Sequence, residues 1–211
     1  MHIPDGILSP SLCAGGFALG AAAVGYSLYR FHERNLPQVA VMASLFFVAS
    51  SIQIPLGQAS LHLLLNGLLG VVLGRDAAPA IVVSLLLQSL LLQHGGLTAL
   101  GANTVIMTGG ALAAHLLFRT GRALLSKRGR GRPGPALAAL GLAAGAASVV
   151  VSGLFYYLFF VLADPNYRTI SYLVVSLQLP LLLFEPIVTA SAVSFLARAK
   201  PELIGGESAT P

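Results

Sequence analysis

The sequence predicts an all-α fold: a polytopic membrane bundle of seven transmembrane helices, with the N-terminus outside and the C-terminus cytoplasmic. Three observations predict it. First, 56% of the 211 residues are apolar and only 9% are charged, whereas soluble domains carry about 25% charged residues. A surplus of this size needs lipid as its solvent. Second, the apolar residues fall into segments at roughly 8–29, 38–57, 61–74, 79–93, 98–118, 136–162 and 170–197. Most are long enough to cross about 30 Å of hydrocarbon as helices. Third, seven spans with an outside start sort the basic residues. Arg30 and Arg34, Arg75, the six from Arg119 to Arg132, and Arg198 with Lys200 fall on the inner side, leaving Arg168 alone outside. Basic residues collect in inner loops. Merging 61–93 into one span would put the six-residue basic loop outside, so the two short segments around "GRDAAP" count separately.

Taken in order, the elements justify themselves. The start lacks the basic region of a secretory signal, and "PSLC" has Pro10 where a lipoprotein signal wants an aliphatic residue, so the mature chain is read from Met1. Cys13 is the single cysteine, which excludes a disulfide frame and a thiolate cluster. Span one carries Ala14, Ala18 and Ala22 at intervals of four, beside Gly16 and Gly20. Small residues so spaced let helices approach closely in lipid, either inside the bundle or against another membrane subunit. Span three repeats the device at Gly70 and Gly74, and span six at Gly141 and Gly145. Before span five, "QHGGLTALGAN" forms an outer loop in which Gly95 and Gly96 permit close backbone approach and Thr98 suits the helix N-cap. A basic cytoplasmic loop over about 119–135 joins spans five and six. Its charges fit the inner side of a membrane, so no nucleic-acid partner is expected. One domain covers 1–211, with a disordered tail at about 204–211.

The five histidines divide by side. His2, His62 and His94 fall outside, His32 and His115 inside. His2 is special because of its position. A free terminal amine, the amide nitrogen of residue 2 and its imidazole can close two fused chelate rings of five and six members on one metal. The amide must lose its proton, which favours nickel(II) or copper(II) in a square-planar nitrogen field. Pro4 lies just beyond the rings. Three nitrogens leave one corner open for a second imidazole from the outer face. His62 opens span three, and Asn66 follows four residues on along the same helix face. His94 is a spare ligand or an outer-shell group. Asn103 lies one turn inside span five. Glu185 precedes Pro186 in span seven. A membrane carboxylate is a functional candidate, or it pairs with a basic residue at the inner helix end.

"MHIPDGILSP", "ASLHLLLNGLLGVVLG", "HGGLTALGAN" and "EPIVTASAVSFLARAKPEL" resemble the CbiM/NikM family, in family order across nearly the whole chain. Those proteins are substrate-binding membrane (S) components of energy-coupling-factor ABC transporters for cobalt and nickel. The resemblance implies a metal site of Met1, His2 and His62; His94, Asn66 and Asn103 are read from their positions as supporting or gating residues. It implies Ni(II) or Co(II) as transported substrate and no resident cofactor. The implied partners are a transmembrane coupling subunit, cytoplasmic ATPase subunits and a small accessory membrane subunit, in the inner membrane of a bacterium and in the service of cobalamin biosynthesis. Cobalt members often read "MHIMEG" where this chain has "MHIPDG", which leaves nickel and cobalt both open. The sequence holds no G-x-x-x-x-G-K-[ST] phosphate loop, so ATP hydrolysis is assigned to other subunits and no enzyme activity is expected. Two other classes compete: an intramembrane metalloenzyme, which needs an open coordination position and a general base, and a metal-free scaffold. No HExxH motif supports the former.

Overall fold

The computed structural model describes residues 2–52, 54–56, 59–61, 63–127, 134–164, 172, 176 and 179–205, with the backbone alone at 54–56, 59–61 and 127. The helices among them are α1 (Pro10–Tyr29), α2 (Leu36–Ser51), α3 (Asn66–Leu73), α4 (Ala77–Leu91), α5 (Leu100–Lys127), α6 (Gly134–Ala163) and α7 (Leu181–Ala199). Pro10 supplies the preset φ of a first helical residue, and the Ser9 hydroxyl caps α1 by accepting from the Leu12 amide at 3.4 Å. Among the described residues, five helical stretches are long and apolar enough to cross a membrane: Pro10–Tyr29, Asn66–Leu91, Leu100–Ser126, Gly134–Ala163 and Leu181–Ala199.

The second of these is not one rod. Gly74 has φ +60 and opens a 3-10 turn, Gly74–Asp76. On one side, α3 advances alongside α5: Gly70 packs on Ala111 and Gly74 on the His115 ring. On the other, α4 returns, because residues 92–99 connect its end to the start of α5. The two helices therefore run in opposite senses, as the sequence reading expects for segments three and four. However, α3 has only eight residues, or about 12 Å of rise. It is a half-length helix entered from an extended segment.

That segment amends the all-helical expectation. Where the sequence suggests the end of span two and the start of span three, Ile54–Leu56 and Ala59–Leu61 form an antiparallel hairpin, with Ile54 opposite Leu61 and Leu56 opposite Ala59. Pro55 explains it. Proline lacks the amide a helix needs and biases the residue before it toward extended backbone. Two further boundaries are corrected. The stretch 119–127, expected as loop, continues α5; Arg119, Arg122 and Lys127 suit the negative end of a helix dipole. The expectation of disorder from 204 is amended at that residue. Pro201–Ile204 is a 3-10 turn with Ile204 buried, and 206–211 lie outside the described residues.

Small residues set the packing. α6 runs antiparallel to both neighbours, with Gly110 against Ser148 and Ser152 on one side, and Gly145 and Gly141 against Pro186 and Ala190 on the other. α2 and α4 run parallel, joined by Asn35 to Asp76 and by Ser84 to the Ala43 carbonyl. The fully buried centre includes Leu69, Ile81, Ile106, Met107 and Ala111. On α1, Gly16 and Gly20 are buried against Ala102 and Gly101, whereas Ala14, Ala18 and Ala22 are exposed. The two small-residue stripes of span one thus separate: one packs inside the bundle, and the alanine stripe is exposed among the described residues.

Candidate metal centre

Of the ligands expected from the sequence, Met1 and His62 lie outside the described residues. The segments that carry them are described on their inner sides, and each is fastened to α5. The N-terminal segment enters the bundle as a buried thread. Ile3 is 0% exposed. Its amide donates to Asn103 Oδ1 at 2.8 Å, and its carbonyl accepts from Asn103 Nδ2 at 3.0 Å. One side-chain amide thus pairs with both polar groups of Ile3, as a neighbouring strand would. His2 is half-buried, with both ring nitrogens out of solvent.

The glycine pair of the loop before α5 makes room for this thread. Gly95, at φ +73, lies against His2 and the Asn103 amide, and a Cβ on Gly96 would overlap the Asp5 carboxylate. Asp5 Oδ1 accepts from the Thr98 amide at 2.9 Å and from the Thr98 hydroxyl. Its carboxyl is held below the usual aspartate value by the Thr98 hydroxyl and, to a lesser degree, by the amides of Thr98, Ala99 and Leu97, against a desolvation that raises it. The sequence reading has Thr98 capping α5. In the structure Asp5 accepts from Thr98 at that helix entry, from about a hundred residues away. His94 is half-buried beside Gly95. Its amide donates to the Gln88 carbonyl at 3.2 Å.

The second segment is anchored by a carboxylate. Leu64 and Leu65 are 1% and 4% exposed, and both amides donate to Glu185 Oε1, the Leu65 bond measuring 2.7 Å. Leu65 takes φ +51, a conformation that costs a bulky residue of order 1–3 kcal/mol and persists only where surroundings enforce it. Glu185 is 0% exposed and, among the described residues, makes none of the ion pairs with a basic residue that one sequence reading supposed. It sits over the amino end of α3, where unpaired amides and the helix dipole favour a negative group. Asn66, the first residue of α3, donates to Met107 Sδ and Ser152 Oγ, both at 3.1 Å. It points to α5 and α6.

α5 is the common platform. Asn103 holds the segment of His2, and Met107 receives the residue four places after His62. Positions four apart share a helix face, about 6 Å along the axis. The two segments carrying the expected imidazoles are therefore seated on consecutive turns of one helix. The walls are apolar (Ile3, Leu64 and Ile106 are at most 1% exposed), a dry setting in which nitrogen ligands need not compete with water. One contributor, Asp5, escaped the sequence reading, and another, Glu185, was singled out there without its partners. Asp5 sits in the turn signal "PDG", but nothing local marks Thr98 as its partner. For Glu185, the carboxylate in an apolar span was the signal, and its partners were hidden because they are main-chain amides. We expect Asn103→Leu, which frees both polar groups of Ile3, to weaken nickel or cobalt retention by about 10- to 100-fold, the range of outer-shell losses. Metal titration in detergent checks this, and wild-type affinity would remove Asn103 from the site.

The profile of the family described as "Cobalt uptake substrate-specific transmembrane region" matches residues 2–203. A putative metal transport protein of Haemophilus influenzae is 31% identical over 97% of each chain. A fused nickel transport protein, NikMN, of Rhodobacter capsulatus is 36% identical over 97% of this chain and 64% of its own. The cobalt transport protein CbiM of Geobacter sulfurreducens is 33% identical over 97% of this chain and 61% of its own. This chain thus spans just under two thirds of the latter two. A crystal structure of a truncated transition metal transporter superposes with a TM-score of 0.69, covering 96% of this chain and 99% of that one at 23% identity. At that identity the likeness shows a shared fold.

Proposed function

Because the chain belongs to the CbiM family of cobalt-uptake substrate-specific transmembrane proteins, we propose that it is the substrate-specific membrane component of a nickel or cobalt uptake system. It captures Ni(II) or Co(II) at the outer face through the Met1 amine, the His2 amide and imidazole, and the His62 imidazole. The observation that carries this reading is the seating of both ligand-bearing segments on one face of α5, at Asn103 and Met107. Seven alternating passes, with the N-terminus outside, bring the basic residues inside and the histidines 2, 62 and 94 together outside. Uptake is driven by ATP through separate subunits of the energy-coupling-factor type in the inner membrane. The test is metal analysis of the purified protein after exchange with nickel, cobalt and zinc. Nickel or cobalt held near one ion per chain, in preference to zinc, is expected; zinc retained equally, or no ion at all, would sink the assignment.

The exposed Ala14, Ala18 and Ala22 stripe supports docking to a transmembrane coupling subunit, since Gly16 and Gly20 already supply the packing against α5. Ala18→Leu is expected to lower recovery of the assembled complex while leaving metal content unchanged. Gly16→Leu, which meets the Ala102 backbone, is expected to unfold the chain instead. Co-purification of Ala18→Leu with its partners at wild-type yield would refute the docking role.

A further inference from the structure

At the end of the bundle opposite the candidate metal centre lies a cavity of about 750 Å³, within the size range of small-molecule sites. The turn Gly74–Asp76 forms one wall, α5 from His115 to Ser126 a second, and the C-terminal turn Glu202–Gly205 a third. Three arginines, Arg75, Arg119 and Arg122, face two carboxylates, Asp76 and Glu202. Both carboxylates have other engagements. Asp76 is 8% exposed, with Oδ2 accepting from Asn35 Nδ2 at 2.9 Å, and Glu202 stands 3.7 Å from the Lys200 ammonium. Arg122 donates to the Ile204 carbonyl and so fastens the third wall. Arg75 and Arg119 are exposed and make no ion pair among the described residues.

The surroundings distinguish what these cations would hold. Leu112 and Leu116, the α5 stripe that leads from Arg119 toward the bilayer centre, are half-buried and 58% exposed, and Val71 and Phe118 line the cavity itself. An anion without an apolar part would satisfy the arginines and leave that stripe unused. An amphiphile satisfies both. Arginine forks match phosphate oxygens, and basic pockets between membrane helices on the cytoplasmic side take anionic lipid headgroups. We propose that this cavity binds the phosphate headgroup of an anionic phospholipid of the inner leaflet, with Arg75 and Arg119 as its contacts and the acyl chains along Leu112 and Leu116. This rests on the inner placement of that end under the reading above, but not on the metal ligands.

The experiment uses the full chain, delipidated in detergent and offered mixed phosphatidylglycerol and phosphatidylcholine, with bound lipid read by native mass spectrometry. Wild type is expected to retain phosphatidylglycerol preferentially. The double variant Arg75→Ala, Arg119→Ala is expected to lose that preference roughly 10- to 30-fold, with unchanged nickel or cobalt content as the control for folding. Leu116→Ser, which keeps the cations, should weaken lipid retention without restoring a preference for phosphatidylcholine. Equal retention of both lipids by wild type overturns the proposal. So does displacement of phosphatidylglycerol by millimolar inorganic phosphate, which would make the ligand a free anion. Displacement by an acidic peptide at micromolar concentration would overturn it in favour of a protein partner. Because the readout is lipid, loss of metal binding in wild type would refute the uptake reading and leave this one to stand or fall separately.

Discussion

A tag fused ahead of Met1 is expected to abolish nickel and cobalt retention, and the same tag placed after Pro211 to leave it intact. The expectation follows from the chelate. With the terminal amine acylated, the first five-membered ring cannot close on an amine, and the His2 amide keeps only its own imidazole as an anchor for the metal. His62→Ala should lose the fourth nitrogen. Both losses should exceed the roughly 10- to 100-fold typical of outer-shell changes. A single alanine ahead of Met1 is a finer probe. It moves histidine to position 3, where a chelate with an extra ring supplies all four nitrogens locally and displaces His62. Retention should also fall as the medium acidifies, because capture releases protons from amine, imidazole and amide. The measurement is metal content after desalting for the three starts and His62→Ala. Equal retention with the blocked terminus would make "MHIPDG" a lead-in to α1 and nothing more.

The second large effect is on the fold. Glu185→Leu is expected to destabilise the protein by about 2–6 kcal/mol, since it strands the Leu64 and Leu65 amides, and an unsatisfied buried donor costs about 1–3 kcal/mol. Inside a bilayer no water can relieve them. Glu185→Gln keeps an oxygen acceptor and should recover most of the loss. Melting in detergent, read by circular dichroism, separates the variants. If the leucine variant melts with wild type, Glu185 does not hold the entry to α3. If glutamine is as damaging as leucine, the charge rather than the acceptor matters.

The contrast between these residues shows what a sequence can disclose. The histidines stand out as proposed ligands because a chelate depends on bond connectivity, which is written in residue order. The helices were legible because apolar runs and arginine positions reflect lipid and field, both external to the chain. Asn103 was legible as a polar residue one turn into an apolar span, although not its use as a surrogate strand for Ile3. The break in span three was half legible. Gly74 and "GRDAAP" mark the turn, but Leu65 in left-handed backbone has no composition signature, since tertiary contacts impose it. Pro55 favours extended backbone, a signal that the sequence reading left unused inside the apolar run around it. The extension of α5 past Arg119 was missed because a basic stretch reads as loop, while a helix end welcomes the same charges.

Asn103 grips Ile3 across a hundred residues of sequence, and this has a consequence for biogenesis. The first residues to leave the ribosome are among the last to reach their places. At about 5–20 residues per second, Asn103 is synthesised roughly 5–20 s after His2. Throughout that interval the platform for the thread does not exist. Nascent chains arrested before Leu100 should therefore hold no nickel or cobalt in the native manner, however much metal surrounds them. Ion capture becomes a property reserved for chains whose fifth helix has been inserted.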